Sequence, residues 1–202
     1  GSAHARRHQL PDGGHRIDLE TDVQRYPRFP GRALDDAAHA VTRSRQDQVD
    51  ILLPPWGTAI NLAVGPLFHR YGFPQITSTS ITDRQPDLAE RWPLSFLLMG
   101  TATSYVQSLV DVLVEAREAG QIGDDVAMIS VSDAFGIDQA QAARALFAEH
   151  GFNITHDRTY PVGTQDFSSI LAEVRDAQVF VAFSYPPDTV AITDQAQIHR
   201  FN

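Results

Sequence analysis

The sequence predicts an α/β protein built from two doubly wound lobes, each with a parallel sheet. Short strand-like segments and longer segments with helical spacing alternate along nearly the whole chain. This alternation favours parallel sheets that are covered by helices on both faces. The longest stretch without either periodicity, residues 78–102, separates two such series. We therefore expect a first lobe over residues 1–101 and a second lobe over residues 102–202.

The first lobe is predicted to contain three strands and two helices. One strand rests on alternation of apolar and polar residues, and the others are short apolar runs of the buried kind. The predicted strands are residues 16–23, 49–53 and 73–77. Apolar residues at helical spacing predict one helix over 32–47 and another that begins near Thr58. Gly72 is placed to end the second of these helices, because glycine readily adopts the left-handed conformation of a helix end.

The second half of the chain continues the pattern with clearer signals. Residues 95–99 look extended, and residues 103–119 repeat apolar side chains at the spacing of one helix face. A helix over 137–149 is predicted next, and two further helices are expected to be capped by Asp166 and Asp188. The strands predicted between these helices are residues 126–131, 153–160 and 179–185.

Composition excludes several classes of function. The chain has 202 residues, with 25 acidic and 16 basic side chains and a formal net charge of −9. An acidic protein of this kind lacks the basic face that nucleic acids require. Cysteine is absent, which excludes disulfides, thiolate metal sites and cysteine nucleophiles. No apolar run approaches the roughly 18 residues of a membrane span, and the polar first fourteen residues do not form a signal peptide.

Candidate binding residues cluster in four loops that follow predicted strands. In parallel α/β sheets, ligands bind beyond the carboxyl ends of the strands, where helix N-termini attract anions. The loops at 54–59 and 77–83 are rich in hydroxyl groups, whereas those at 132–136 and 184–188 carry aromatic rings. Such a combination suits a small polar ligand with an apolar body. The candidate ligand-binding residues are Trp56, Gly57, Thr58, Thr79, Ser80, Thr82, Phe135 and Tyr185.

A simpler interpretation stays open for each of these residues taken singly. Serine, threonine and aspartate at a helix start are usually caps, and the aromatic residues would serve equally well in a core. Other chemistry has less support, since His4 and His8 lie in a polar terminus and make a poor metal site. No phosphate-binding glycine motif and no nucleophile, base and orienter occur together, so we expect no catalytic residues, metal or cofactor.

The order of these loops resembles the substrate-binding proteins of ABC transporters with the periplasmic binding protein type I fold. The similarity is greatest to the leucine/isoleucine/valine-binding group, and it runs from about residue 12 to the C-terminus. It is carried by the strings VDILLPPWGTAINLAVGPLFHRYGFPQI, VAMISVSDAFGIDQAQAARALFAEHGFNI, TYPVGTQDFSSILAEVRDAQ and VFVAFSYPPDTVAITDQAQ.

The resemblance implies a role for individual residues. Thr58 matches a hydroxyl residue that holds the ligand carboxylate, and Ser80 and Thr82 lie in a loop that adds further contacts. Phe135 and Tyr185 match aromatic positions on the second lobe. The family's strand order also implies that residues 126–131 form the middle strand of the second sheet.

The chain departs from the family pattern in three ways. Pro54-Pro55 replaces the usual Gly-Pro, Gly57-Thr58 replaces the usual Ser-Ser, and Trp56 is larger than the common tyrosine. The resemblance further implies a chain truncated at both ends, without the family's first strand and without the return from the second lobe. We therefore expect a first-lobe sheet that lacks its central member, with either a gap or a non-native pairing between 17–23 and 49–53.

The function that the resemblance implies is that of a solute receptor and not of an enzyme. It would bind an amino acid, or a similar small carboxylate or amide, in a cleft between the lobes and deliver it to an ABC permease. A monomer in the periplasm or another extracytoplasmic space is expected. Two alternatives stay open, namely a ligand-sensing domain of a signalling or regulatory protein with the same fold, and an α/β enzyme.

Overall fold

A computed structural model shows alternating helices and parallel strands, and it describes residues 30–198. The helices are α1 Pro30–Gln46, α2 Thr58–Tyr71, α3 Gln85–Arg91, α4 Ala102–Glu118, α5 Ala134–Glu149, α6 Ser168–Glu173 and α7 Pro186–Ile198. The strands are β1 Gln75–Thr77, β2 Ser95–Leu97, β3 Asp125–Val131, β4 Asn153–Tyr160 and β5 Val179–Phe183. The α/β class with parallel sheets is thereby confirmed.

The three strands of the second half form one parallel sheet in the order β4-β3-β5. This confirms the prediction that 126–131 is the middle strand. Met128 and the other side chains on its face of β3 pack against α4 and α5. Ile129 and Val131, on the opposite face, pack against Phe167 and Leu171 around α6. Six of the seven residues of β3 are buried, because helices cover both faces of this strand.

The first sheet, in contrast, has only two strands among the described residues. β1 and β2 are parallel, and Ile76 lies opposite Phe96. The predicted strand at 49–53 is wrong, because these residues have no ladder partner within 30–198 and are not assigned to a strand. Ile51 and Leu53 are 64% and 59% exposed. The predicted strand at 16–23 lies outside the described residues.

Buried polar side chains join α2 to the first sheet. The Gln75 amide donates to the backbone carbonyl of Asn61 at 2.8 Å, and the Ser95 hydroxyl donates to Gln75 Oε1 at 3.0 Å. Gly72 ends α2 in the left-handed conformation with φ of 76°, as predicted. Pro66 lies inside α2 without ending it. The polar contacts hold the N-terminal half of α2 against β1. The first turn of α2 therefore lies next to the loop that follows β1.

Two predicted caps have other roles. Phe167 is the N-cap of α6, and Asp166 accepts a hydrogen bond from the backbone N–H of Ser168 instead. Asp188 lies in the first turn of α7, is buried, and accepts a hydrogen bond from the Tyr160 hydroxyl at 3.0 Å. The Asp166 bond is local and shifts the helix start by one residue, whereas the partner of Asp188 is 28 positions away and is brought to it only by the fold.

Gly136 provides a test of the close packing between α5 and β3. A Cβ atom built at this position overlaps the carbonyl oxygen of Val131, which belongs to the backbone of the central strand. We expect Gly136→Ala to lower the free energy of unfolding by about 3 kcal/mol, because neither backbone can move freely. Chemical denaturation measures this change.

Gln141→Ala is the matched control for Gly136→Ala, because Gln141 lies on the exposed face of the same helix. Its effect should stay within about 0.5 kcal/mol. Equal stability of the two variants would contradict the close approach of α5 to β3.

Candidate functional site

Three predicted site residues form an aromatic cluster where the two halves of the structure meet. By the two halves we mean the described residues before α4 and those from α4 onward. The ring centroids of Trp56 and Tyr185 are 5.1 Å apart, and Phe135 stacks on Tyr185 with centroids also 5.1 Å apart. Trp56 lies in the loop before α2, whereas Tyr185 follows β5 and Phe135 lies in the first turn of α5. We call these three residues the aromatic cluster; it joins the loop before α2 to two loops of the second sheet.

Gly57 lies next to Tyr185 of the aromatic cluster. It is the N-cap of α2 with φ of 96°, a conformation that glycine adopts without strain. A Cβ atom added to Gly57 would lie 3.8 Å from the Tyr185 hydroxyl. The N-terminus of α2, which carries the positive end of the helix dipole, therefore lies beside the aromatic cluster.

Asp133 holds Tyr185 in position. Its Oδ2 accepts a hydrogen bond from the Tyr185 hydroxyl at 2.6 Å, and its Oδ1 accepts one from the backbone N–H of Gly136, which caps α5. Burial, together with the hydrogen bond and charge of Asp133, raises the pKa of Tyr185 well above its usual value. Tyr185 is therefore a neutral hydrogen-bond donor whose proton is directed to Asp133.

A second tyrosine and carboxylate pair lies beside the first. Tyr160 is 2% exposed, and burial, followed by the charge of Asp188, raises its pKa far above the ordinary range. The charge of Asp133 also acts on Tyr160, and that of Asp188 acts on Tyr185. The wall contributed by the second sheet therefore combines aromatic rings with two hydrogen-bonded carboxylates.

The hydroxyl residues of the first half are connected with one another. The Thr58 hydroxyl donates to the carbonyl of Ile81 at 3.3 Å and accepts from the N–H of Ile81 at 3.1 Å. The Gly57 N–H donates to Thr79 Oγ1 at 3.2 Å. We call residues 77–83 the polar segment; these bonds attach it to the first turn of α2.

The structure therefore divides the predicted site residues into two groups. Trp56 and Gly57 contact or face Tyr185, and Phe135 stacks on it. The buried Thr58 hydroxyl bonds to Ile81, and Thr79 accepts from the Gly57 N–H in the same network. The buried Thr82 hydroxyl donates to Asp138 of α5, and Ser80 lines a small pocket with Thr77 and Asn61. Ser80 Oγ has no hydrogen-bond partner within residues 30–198. A direct contact of these hydroxyls with a ligand stays a prediction.

Sequence reasoning did not select Asp133 and Asp138 as site residues. Asp133 had a signal, since it stands in the loop after strand 126–131 at a position suited to a helix cap. Asp138 had none, because a carboxylate one turn into a helix is usually solvated. Its contact with Thr82, 56 residues away in the chain, exists only in the folded protein.

Over residues 30–198 there is no group of three or more histidine or acidic side chains that could hold a metal ion. No helix in this region is both long and apolar enough to cross a membrane.

The sequence profile of the periplasmic binding protein family matches residues 30–199. The chain therefore belongs to this family, whose members are solute-binding proteins and not enzymes. Its fold is the type I form of the periplasmic binding proteins.

Solved structures agree on the fold. A solute-binding protein of an ABC transporter from Rhodopseudomonas palustris in complex with 3,4-dihydroxybenzoic acid has a TM-score of 0.70 and 21% identity, over 82% of this chain and 44% of that one. Another R. palustris solute-binding protein, in complex with benzoate, has a TM-score of 0.71 and 16% identity, over 82% and 46% of the two chains. A leucine-binding protein from Thermotoga maritima has a TM-score of 0.67 and 19% identity, over 84% and 47%. The chain thus spans less than half the length of these proteins.

Tyrosine ionisation tests the two tyrosine and carboxylate pairs. The chain has five tyrosines, and Tyr160 and Tyr185 have raised pKa values. The unfolded chain ionises all its tyrosines near pH 10. Tyr160 and Tyr185 keep their protons in the folded state, so their contribution to stability is lost progressively as the pH rises above about 10. Below that pH both states keep these protons, and the contribution of the two residues to stability is fully present.

We therefore expect Tyr160 and Tyr185 to ionise only as the protein unfolds. Ultraviolet absorbance at alkaline pH measures tyrosinate, and circular dichroism follows unfolding in the same samples. Titration in guanidinium chloride, where all tyrosines are exposed, is the control. A folded protein in which every tyrosine ionises in a single step near pH 10 would contradict these burial assignments.

Proposed function

We propose that the protein is the solute receptor of an ABC uptake system and binds a small carboxylate or amide with an apolar body. The observation that carries the proposal is the aromatic cluster, in which Trp56 meets Tyr185 beside the N-terminus of α2. Family membership supports a binding function, and the position of the cluster beyond the strand ends supports the location of the site. The ligand class includes amino acids and related amides as well as aromatic acids.

The two ends of such a ligand would meet different surroundings. The carboxylate is placed at the N-terminus of α2, near Gly57 and Thr58, where the helix dipole and backbone N–H groups favour an anion. The apolar body is placed among the rings of the aromatic cluster. Two similar structures contain 3,4-dihydroxybenzoic acid and benzoate, and a third is a leucine-binding protein. These compounds fit the division, because each joins a carboxylate to an apolar group.

Binding would occur between the two halves. Trp56 and Tyr185 are in ring contact, so a ligand enters only when the halves separate. Closure around the ligand then adds contacts from both sides, which stabilises the closed state. A micromolar affinity corresponds to about −8 kcal/mol, which a few hydrogen bonds to a charged carboxylate at about 1.5–3 kcal/mol each and the aromatic contacts would supply.

The remaining parts of the proposal follow from family membership. The protein would act outside the cytoplasm as a monomer with two lobes, divided near residue 101, and pass its ligand to an ABC permease. It would use no cofactor, and its acidic composition makes nucleic acid an unsuitable partner.

Trp56→Ala tests the proposed site, because Trp56 is 55% exposed and its loss affects the core little. We expect the affinity for benzoate and leucine to fall about tenfold to a hundredfold, since the ring would lose its contact with the ligand's apolar body. Isothermal titration calorimetry measures both affinities, and benzamide in place of benzoate reports the contribution of the carboxylate.

Tyr105→Ala is the matched control for Trp56→Ala. Tyr105 is an aromatic residue of similar exposure, 53%, that lies outside the aromatic cluster. Its replacement should leave both affinities within twofold of the parent. An equal loss in the two variants, or no loss in either, would show that the aromatic cluster is not the binding site.

A further inference from the structure

A hydrogen bond connects the polar segment to the second sheet's helix α5. The Thr82 hydroxyl donates to Asp138 Oδ2 at 2.5 Å and accepts from the N–H of Arg84 at 3.2 Å. Thr82 is fully buried, and Asp138 lies in the second turn of α5. The hydroxyl thus has both a donor and an acceptor within the protein, and its donor bond crosses from the strand-end loop of the first sheet to the second.

Neighbouring contacts show that the polar segment links the two halves. On one side Thr58 binds both backbone groups of Ile81, which attaches the segment to α2. On the other side, the Ile81 side chain belongs to the core cluster that α4 and α5 form with the second sheet. Asp83 accepts two hydrogen bonds from Thr103 at the start of α4, and this pair is exposed.

We propose that Asp138 is a positioning residue that acts through Thr82 and holds the two halves in their closed arrangement before any ligand binds. The two residues form an interlobe latch, by which we mean the single hydrogen bond from Thr82 Oγ1 to Asp138 Oδ2. Only the effect of the latch on ligand affinity rests on the proposed function. Its effect on the separation of the halves does not.

The latch differs in strength from the other polar contact of the segment. A hydrogen bond to a carboxylate is stronger than one between neutral groups, and burial of its donor removes competition from water. The exposed Asp83 and Thr103 pair competes with solvent and contributes little. Of these two polar contacts, the bond between Thr82 and Asp138 is therefore the one whose loss more strongly favours separation of the halves.

The latch would also set the observed affinity. If the ligand is held only in the closed arrangement, the dissociation constant rises in proportion as the closed fraction falls. Removal of the hydrogen bond should reduce the ratio of closed to open protein by roughly tenfold, the factor typical of one hydrogen bond to a charged group.

Distance measurements between the halves test the latch. The chain has no cysteine, so the substitutions His69→Cys and Glu149→Cys, at exposed positions on α2 and α5, permit specific spin labelling. Pulsed electron resonance then gives the distribution of label distances in the full chain without ligand. We expect Thr82→Val to add a population at longer distance and to lower the ratio of closed to open protein by roughly tenfold.

Two threonine variants are the controls. Thr82→Ser keeps the donor hydroxyl and should restore the parent distribution. Thr103→Val applies the same change as Thr82→Val to the exposed contact, and it should shift the ratio less than twofold. A parent-like distribution in Thr82→Val would overturn the proposal, as would an equal shift in Thr103→Val.

Asp138→Ala repeats the test from the other side of the bond. Asp138 is only partly buried, so this variant keeps the proposal testable if Thr82→Val does not fold. It should open the halves as Thr82→Val does, and a parent-like distribution here would equally overturn the latch.

Binding of 4-hydroxybenzoate and leucine to the same variants separates the latch from the proposed function. A parent protein that binds neither compound would count against the proposed ligand class, while the distance result still decides the latch. A parent that binds, together with an opened Thr82→Val variant of unchanged affinity, would overturn the positioning role of Asp138.

Discussion

The arrangement of the site depends on the pairing of β3 with parallel neighbours on both sides. β3 forms a ladder with β4 on one side and with β5 on the other, and its side chains are buried on both faces. Because all three strands run in the same direction, their carboxyl ends meet at one edge of the sheet. Asp133, Phe135 and Tyr185 follow directly after those ends. Without this pairing the second wall of the candidate site would not exist.

Carboxylates accept hydrogen bonds from two tyrosines at this edge of the sheet. Asp133 caps α5 and also accepts the hydrogen bond of the Tyr185 hydroxyl. One side chain thereby orients both a helix and an aromatic ring. Asp188, from within α7, accepts the hydrogen bond of the Tyr160 hydroxyl. The raised pKa of each tyrosine has the same origin, namely a phenol that is withdrawn from water and bound to an anion.

The first half of the structure is held differently. Its interior combines an apolar cluster between α1 and α2, formed by Ala37, Val41, Val64 and Phe68, with hydrogen bonds among Asn61, Gln75 and Ser95. One face of its two-stranded sheet exposes Ile76 and Phe96 at 55% and 47%, although parallel sheets ordinarily have both faces covered. The polar segment nevertheless joins this half to the second sheet, because Ile81 is part of the core of the other half. The contact between the halves includes the buried side chain of Ile81, the ring contact of Trp56 with Tyr185, and the hydrogen bonds of Thr82 and Asp83.

The sequence by itself determined the α/β class, the three strands of the second sheet with their order, and the family. These features depend on local periodicity and on the order of motifs, which a linear chain displays directly. Only the tertiary structure decided that 49–53 pairs with no strand among the described residues, that Thr58 binds Ile81, and that Asp133 and Asp138 belong near the site. The reason is physical: these contacts join residues 23, 52 and 56 positions apart, and their partners are chosen by packing and not by spacing.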